Sequence, residues 1–358
     1  MLFQREYTQF IENNYAKIDK NLPINSKKKK NLIYIVLESI EGTFVYDKYG
    51  FSYMKNLENI SKNNVSFKNQ FQIFGAGLTI SAFTAQLFGL PLNLPIGVNE
   101  YGNLEKFLPN AVSSLDLLDS NNYNIAFILG SDSRFSGFDN LFKYHSINYK
   151  IYDSNEFRKE PEYDKYYDSN GWGFIDSFIY EKSKAIILEQ SRKDTNFVTI
   201  IMTIDTHNPV RVIGDYPRVY GDQRDAFVEA DHRVGEFLNW LKRQPFYEDT
   251  VIVILGDHLF PKNKIGQAIL PKEPKRSIFN VFINSGFDVS KDKQLKTCST
   301  IDIAPTILEA IGFSLPDRKF GLGVSLFSDQ PTLLEIYGED ELNEKLSKNS
   351  KLYESFLY

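Results

Sequence analysis

Five short polar clusters carry the residue types from which a reaction centre could be built. Asp257 and His258 stand side by side in TVIVILGDHLFP. A carboxylate next to an imidazole suits a divalent metal such as Mn, Zn or Mg. The pair also fits a loop Asp capping a helix beside a surface His. Glu38 closes the apolar run NLIYIVLES, where a carboxylate carried indoors needs a metal, a salt bridge or a capping contact. Thr79 lies in GAGLTISAF, a glycine turn leading into residues with helical spacing. Glycines let a ligand approach the backbone, and a helix N-terminus favours an anion such as phosphate. A metal-activated hydroxyl there can attack phosphorus. Thr is also a common helix cap, so both readings of Thr79 stand, and Ser81 and Thr84 are rival hydroxyls. His207, in DTHNP, has the chemistry to pass a proton to a leaving alkoxide. Arg134, with Asp132 in GSDSRF, has a planar fork suited to phosphate, or to a surface ion pair.

These residues must be positioned by the elements that precede them. Residues 31–39, 124–129, 196–203 and 250–255 are continuous apolar runs that read as buried parallel strands, and 277–283 reads as a fifth strand nearer an edge. Helical spacing falls at 79–88, 111–121, 172–191 and 223–243, the last with Phe227, Val234, Phe237, Leu238 and Leu241 on one face. Alternating strands and helices predict an α/β sandwich around a mostly parallel sheet. In such sheets ligands bind beyond the C-terminal ends of the strands. Glu38, Asp132 with Arg134, Asp205 with His207, and Asp257 with His258 each follow a strand end. That convergence says more than any one of the pairs.

The remaining chain is read as support. Residues 1–30 form a polar lead-in ending in Lys27-Lys28-Lys29-Lys30, either a solvated tail or a contact with an anionic membrane surface. Residues 31–330 form the catalytic domain, in which Ile301, Ile303, Ile307, Leu308 and Ile311 suit a packed helix. Residues 331–358 are expected to form a small peripheral layer. A net charge of -5 argues against a nucleic-acid partner. The single cysteine, Cys298, excludes an intrachain disulfide and a cysteine zinc cluster. No apolar run approaches the roughly 18 residues that span a bilayer. Four histidines occur, and His145 and His232 read as structural or surface residues.

With these residues in view, the chain resembles the phosphoglycerol transferases of the alkaline phosphatase/sulfatase superfamily. The similar stretches are NLIYIVLESIEGTF, GAGLTISAFTAQLFGLPL, LPNAVSSLDLLDSNNYNIAFILGSDSRFSGFDNLF, GWGFIDSFIY, FVTIIMTIDTHNP, VIVILGDHL and STIDIAPTILEAIGF, in family order over most of residues 31–313. The resemblance implies an alkaline phosphatase-like α/β/α sandwich with a small C-terminal subregion. It matches Glu38, Thr79, Asp257 and His258 to a single-metal site, usually manganese or magnesium, and Thr79 to a nucleophile that becomes phosphoglycerylated. It places His207, Arg134, Asp132 and Trp172 around the substrate. The family's donor is typically phosphatidylglycerol and its acceptor a glycan hydroxyl, at the periplasmic or extracytoplasmic face of the cell envelope. Family members usually carry membrane helices, so this chain is expected to be either a catalytic domain or a relative with different access to its donor. Rival readings are a sulfatase, whose Cys/Ser-x-Pro-x-Arg signature is missing around Cys298; a phosphoethanolamine transferase, usually richer in His and disulfides; a phosphodiesterase or phosphatase; and a non-catalytic binding module.

Overall fold

A computed structural model describes residues 7–46, 52–94, 96, 98–168, 171–213, 216–270 and 275–358. Its centre is a six-stranded sheet. The strands are β1 Asn31–Leu37, β2 Asn124–Leu129, β3 Tyr149–Tyr152, β4 Phe197–Met202, β5 Thr250–Gly256 and β6 Asn280–Ile283, in the spatial order β3-β2-β4-β1-β5-β6. All neighbours pair in parallel except β5 and β6, which run antiparallel at one edge.

The strands are apolar throughout because both faces are covered. Leu32, Tyr34 and Val36 of β1 enter one hydrophobic core and Ile33, Ile35 and Leu37 enter the other. β5 divides likewise, with Val251, Val253 and Leu255 on one side and Ile252 and Ile254 on the other. Alternate side chains point to opposite faces, so a strand buried on both faces loses its polar positions. The first face is packed by α2 Thr79–Phe88, α3 Ser114–Ser120 and α6 Ile303–Ala310, which contribute Phe83, Leu115 and Ile307. The second is packed by α4 Asp176–Gln190 and α5 Arg224–Leu241, which contribute Ile179 and Phe237. Each such side chain stabilises the fold by about 1.5–3 kcal/mol relative to exposure.

The architecture is the expected α/β/α sandwich, with several local differences. Helix α4 begins at Asp176 rather than 172, leaving Trp172 in a hairpin where Tyr167–Asp168 pairs with Gly173–Phe174. The edge strand β3 was not foreseen, because YKIY is short and half-exposed. The predicted lead-in is a packed segment over its described part. Helix α1 Phe10–Asn14 buries Phe10 and Ile11, and Ile18 joins the same core. Two of the four lysines are tied down, Lys29 Nζ donating to the Asn121 carbonyl and Lys30 Nζ to that of Asn284. Residues 331–358 are also not peripheral. They form α7 Leu333–Ser347 and α8 Lys351–Ser355, which bury Leu334, Leu342, Leu346 and Tyr353. The two ends hold each other, as Glu12 Oε1 accepts from Ser350 Oγ and the Leu352 amide. Charged residues every few positions hid this amphipathic packing from a reading of polarity alone.

Candidate active site

Glu38 and Asp257 reach the site because parallel neighbours β1 and β5 end at the same level, with Leu37 registered on Gly256. Gly256 is required there: a Cβ on it would meet the Ile40 carbonyl oxygen at 1.8 Å. The chain after β1 turns sharply through Ser39, whose φ of 56° lies in the left-handed region. The Ser39 amide donates to Asp257 Oδ1 at 2.7 Å, and the His258 amide donates to the same oxygen at 2.8 Å. Asp257 is therefore clamped by the loop it must face. Glu38 is held by Thr203 and Thr206, the first accepting from its amide and the second donating to its carbonyl.

Glu38, Asp257 and His258 offer donor atoms within 4.8 Å of one another, and all three are buried. His258 Nδ1 lies 3.0 Å from the Leu259 carbonyl, which can only accept, so Nδ1 carries the hydrogen and Nε2 faces the carboxylates. Nε2 is 3.4 Å from Asp257 Oδ2 and 3.7 Å from Glu38 Oε1. Asp257 Oδ2 is buried without a hydrogen-bond donor. Two carboxylates around one imidazole, one oxygen unsatisfied, match the donor set of a divalent cation. Without such an ion the cluster favours protons. Burial, then the neighbouring Asp257 charge, pushes the Glu38 carboxyl up to about 8. Burial lowers His258, but the Asp257 and Glu38 charges outweigh it and the net shift is upward.

Thr79 is the first residue of α2, and its side chain does not cap the helix. Leu78 is the capping position, and Ser81 Oγ accepts from its amide. Thr79 Oγ1 instead lies 3.3 Å from Glu38 Oε2 and 3.5 Å from His258 Nε2. The structure thus brings four of the expected site residues, Glu38, Thr79, Asp257 and His258, into one cluster.

His207 stands close enough to feel the charges of Asp257 and His258. Burial lowers its pKa, which keeps the ring neutral, and its buried Nδ1 has no partner. The Trp172 ring covers it at 4.3 Å between centroids. Gly173 lets the Trp172 hairpin lie against the end of β2, since a Cβ there would meet the Gly130 carbonyl oxygen at 2.1 Å. Arg134 is not part of the cluster. Its exposed guanidinium forks onto Asp132, with Nε 3.0 Å from Oδ1 and Nη2 2.6 Å from Oδ2. Next to it Phe135 touches Trp172, so Arg134 and Asp132 lie on the Trp172 side of the site.

Several supporting residues escaped sequence reasoning. Gln72 Oε1 accepts from the Leu259 amide, fixing the loop behind His258. Asp176 and Asp205 grip each other's backbone: Asp205 Oδ2 accepts from the Asp176 amide, and Asp176 accepts from the amides of Ile204 and Asp205. Burial, partly offset by those amides, moves Asp176 up to about 7. Asp205, expected among the strand-end reactive groups, thus serves to hold the His207 loop. Its place before THNP was visible, but its partner 29 residues away was not. His145 is buried and bonded to Asp116 and the Phe107 carbonyl, and His232 sits by Glu236, both as expected.

The geometry can be compared with known proteins. Residues 30–313 match the model of the sulfatase family. Curated relatives called phosphoglycerol transferase I include one from Salmonella paratyphi B, 27% identical over 353 residues, covering 93% of this chain and 44% of the relative. Another, from Citrobacter koseri, is 28% identical over 335 residues, covering 90% and 42%. The chain spans less than half the length of these relatives. Solved structures with the same fold include lipoteichoic acid synthase LtaP from Listeria monocytogenes, with a TM-score of 0.64 at 20% identity over 86% of this chain and 79% of that one. An alkaline phosphatase superfamily protein from Vibrio parahaemolyticus gives a TM-score of 0.63 at 20% identity, over 89% and 81%. With the matched segment running from the start of β1 past α6, and so enclosing the whole cluster, the chain belongs to the sulfatase family.

Proposed function

We propose that this chain is the catalytic part of a metal-dependent phosphoglycerol transferase. It would move phosphoglycerol from a phosphatidylglycerol-like lipid to a glycan hydroxyl through a phosphoglyceryl-Thr79 intermediate. The observation that carries the reading is Thr79 Oγ1, turned away from capping its helix and onto the Glu38 and His258 donors. The phosphoglycerol transferase relatives support the choice of transferred group. Glu38, Asp257, His258 and Thr79 would hold Mn or Mg, or Zn, which when bound supplies Lewis acidity and lowers the pKa of a hydroxyl it touches.

The chain's own residues account for the remaining work. Thr79 Oγ1 attacks phosphorus from the first turn of α2, where helix amides favour the anionic group. Its O–H is directed at Glu38 Oε2, which leaves a lone pair for the substrate. As the Thr79–phosphorus bond forms, the Thr79 proton passes to Glu38 Oε2, the bond to the diacylglycerol oxygen breaks, and that oxygen takes a proton from solvent as the lipid departs. In the second half an acceptor hydroxyl gives up a proton, binds phosphorus and releases Thr79. His207 is the group we assign to the acceptor's proton, since its Nδ1 has no protein partner and burial keeps the ring neutral and so able to accept it; Thr79 regains its own proton from Glu38, and His207 gives its proton to solvent before the next cycle. Trp172 covers His207 and limits water that would turn transfer into hydrolysis. Arg134 reaches the phosphoglycerol by exchanging Asp132 for it.

No helix among the described residues is long and apolar enough to cross a membrane. On this reading a lipid donor would be met at a membrane surface, on the extracytoplasmic side of the envelope. The test is intact-protein and peptide mass spectrometry after incubation with phosphatidylglycerol vesicles and Mn. A glycerophosphoryl adduct on Thr79, missing in Thr79→Ala, is expected. Cleavage of sulfate esters with no adduct on any phospholipid would overturn the reading.

A further inference from the structure

An open cleft of about 760 Å³ lies beside the Trp172 hairpin and is not used by the donor chemistry above. Its walls include Lys165, Tyr166, Tyr167, Asp168, Arg211 and Arg218. Among the described residues its lining holds Lys165, Arg211 and Arg218 against Asp168, with Arg218 also 3.9 Å from Glu229, on a chain whose net charge is -5. The cations are interleaved with rings. Lys165 Nζ lies 4.9 Å over Tyr166, and Arg158, just outside the cleft, lies 4.9 Å over Tyr167. Asp168 is engaged by Arg211 at 3.0 Å, which anchors that arginine at the wall.

The cleft is joined to the reaction centre at two points. Arg211 follows His207 on the same loop, four residues on. The hairpin of Tyr167 and Asp168, also in the lining, carries Trp172, whose ring covers His207. Ile175, also in the lining, donates its amide to the Tyr166 carbonyl, and the next residue, Asp176, is gripped by Asp205.

We propose that this cleft is the acceptor subsite, and that it takes an anionic glycan, one bearing carboxylate or phosphate groups. The proposal rests on the transferase reading and adds the acceptor's chemical class. Guanidinium groups recognise carboxylate and phosphate through paired hydrogen bonds, and the Lys165 ammonium adds a point charge for the same anions. An open trough suits a polymer better than a small molecule. The transferred group is itself a phosphodiester anion, so acceptor units already modified are ligands of the same kind. A nucleic acid would share the charge but needs a longer basic face than these side chains form.

The test is direct binding to the Thr79→Ala protein, which needs no lipid and no turnover. Fluorescently labelled hexagalacturonate is titrated at low and physiological salt, with maltohexaose as the neutral control and a single-stranded oligonucleotide as a third probe. The expected result is binding of hexagalacturonate over maltohexaose. Lys165→Gln and Arg211→Gln together should weaken it by about tenfold or more. Lys165 is exposed and can be changed alone should the Arg211 variant fold poorly. Equal binding of maltohexaose, tighter binding of the oligonucleotide, no binding, or indifference to Lys165→Gln would each overturn the proposal. Failure of the transferase reading appears elsewhere, as a missing adduct on Thr79.

Discussion

Replacing Asp257 by Asn separates what the site costs the fold from what it offers a cation. Asparagine can keep both backbone bonds, since Oδ1 still accepts from Ser39 and His258. Only the charge at the unsatisfied Oδ2 is removed. Glu38 is displaced from 4.5 to about 8, mainly by burial and next by Asp257. At about 1.4 kcal/mol per unit, the whole displacement is on the order of 5 kcal/mol, with burial the larger cause and the Asp257 charge the next. The sign follows from proton binding. The folded state holds the Glu38 proton more tightly than the unfolded chain, so without metal, stability is greatest at low pH and falls as pH rises from 4.5 toward 8. Asp257→Asn should therefore match or exceed the parent in EDTA at pH 8, by some fraction of that displacement, and show a shallower pH slope. With Mn the order reverses. An ion at a hundredfold excess over its Kd adds about 2.7 kcal/mol to the parent, and the variant should lose most of that. Thermal unfolding in EDTA and in Mn, at pH 5 and pH 8, reads all of these. A variant that unfolds more readily than the parent in EDTA at pH 8, or keeps the full Mn-induced rise in Tm, refutes the reasoning.

Three further outcomes follow from the geometry. Thr79→Ala should cut phosphodiester turnover by roughly a thousandfold or more while leaving Tm nearly unchanged, because the side chain neither caps α2 nor fills the core; Thr79→Ser should retain measurable turnover. Gly256→Ala should destabilise the chain by about 3 kcal/mol or more in urea unfolding, since its Cβ cannot coexist with the Ile40 carbonyl oxygen. Trp172→Ala, at a residue 42% exposed, should cost less than about 1 kcal/mol in stability yet shift the products from transfer toward hydrolysis, read as the ratio of modified glycan to free glycerol phosphate.

The sequence by itself determined the sheet and the sides of the site. NLIYIVL, NIAFIL, FVTIIM and TVIVIL are apolar at every step or nearly so, which only strands buried on both faces require. Because parallel strands end at one edge, the polar residues after them had to converge, and Glu38, Asp257 and His258 do. Tertiary structure decided what each of those residues does with its hydrogen bonds. Sequence left Thr79 between cap and nucleophile; the position of Glu38 across the sheet end settled its direction. Arg134 had the right type in the right place, but a side-chain fork takes whichever acceptor is nearest, and that is Asp132, two residues away. Asp205 looked reactive until Asp176 was seen gripping the same loop. The two chain ends looked like polar trim, yet they bury Phe10, Ile11, Leu342 and Leu346 in one core. Local polarity records where residues can go, whereas partners distant in sequence decide which of their atoms remain free for chemistry.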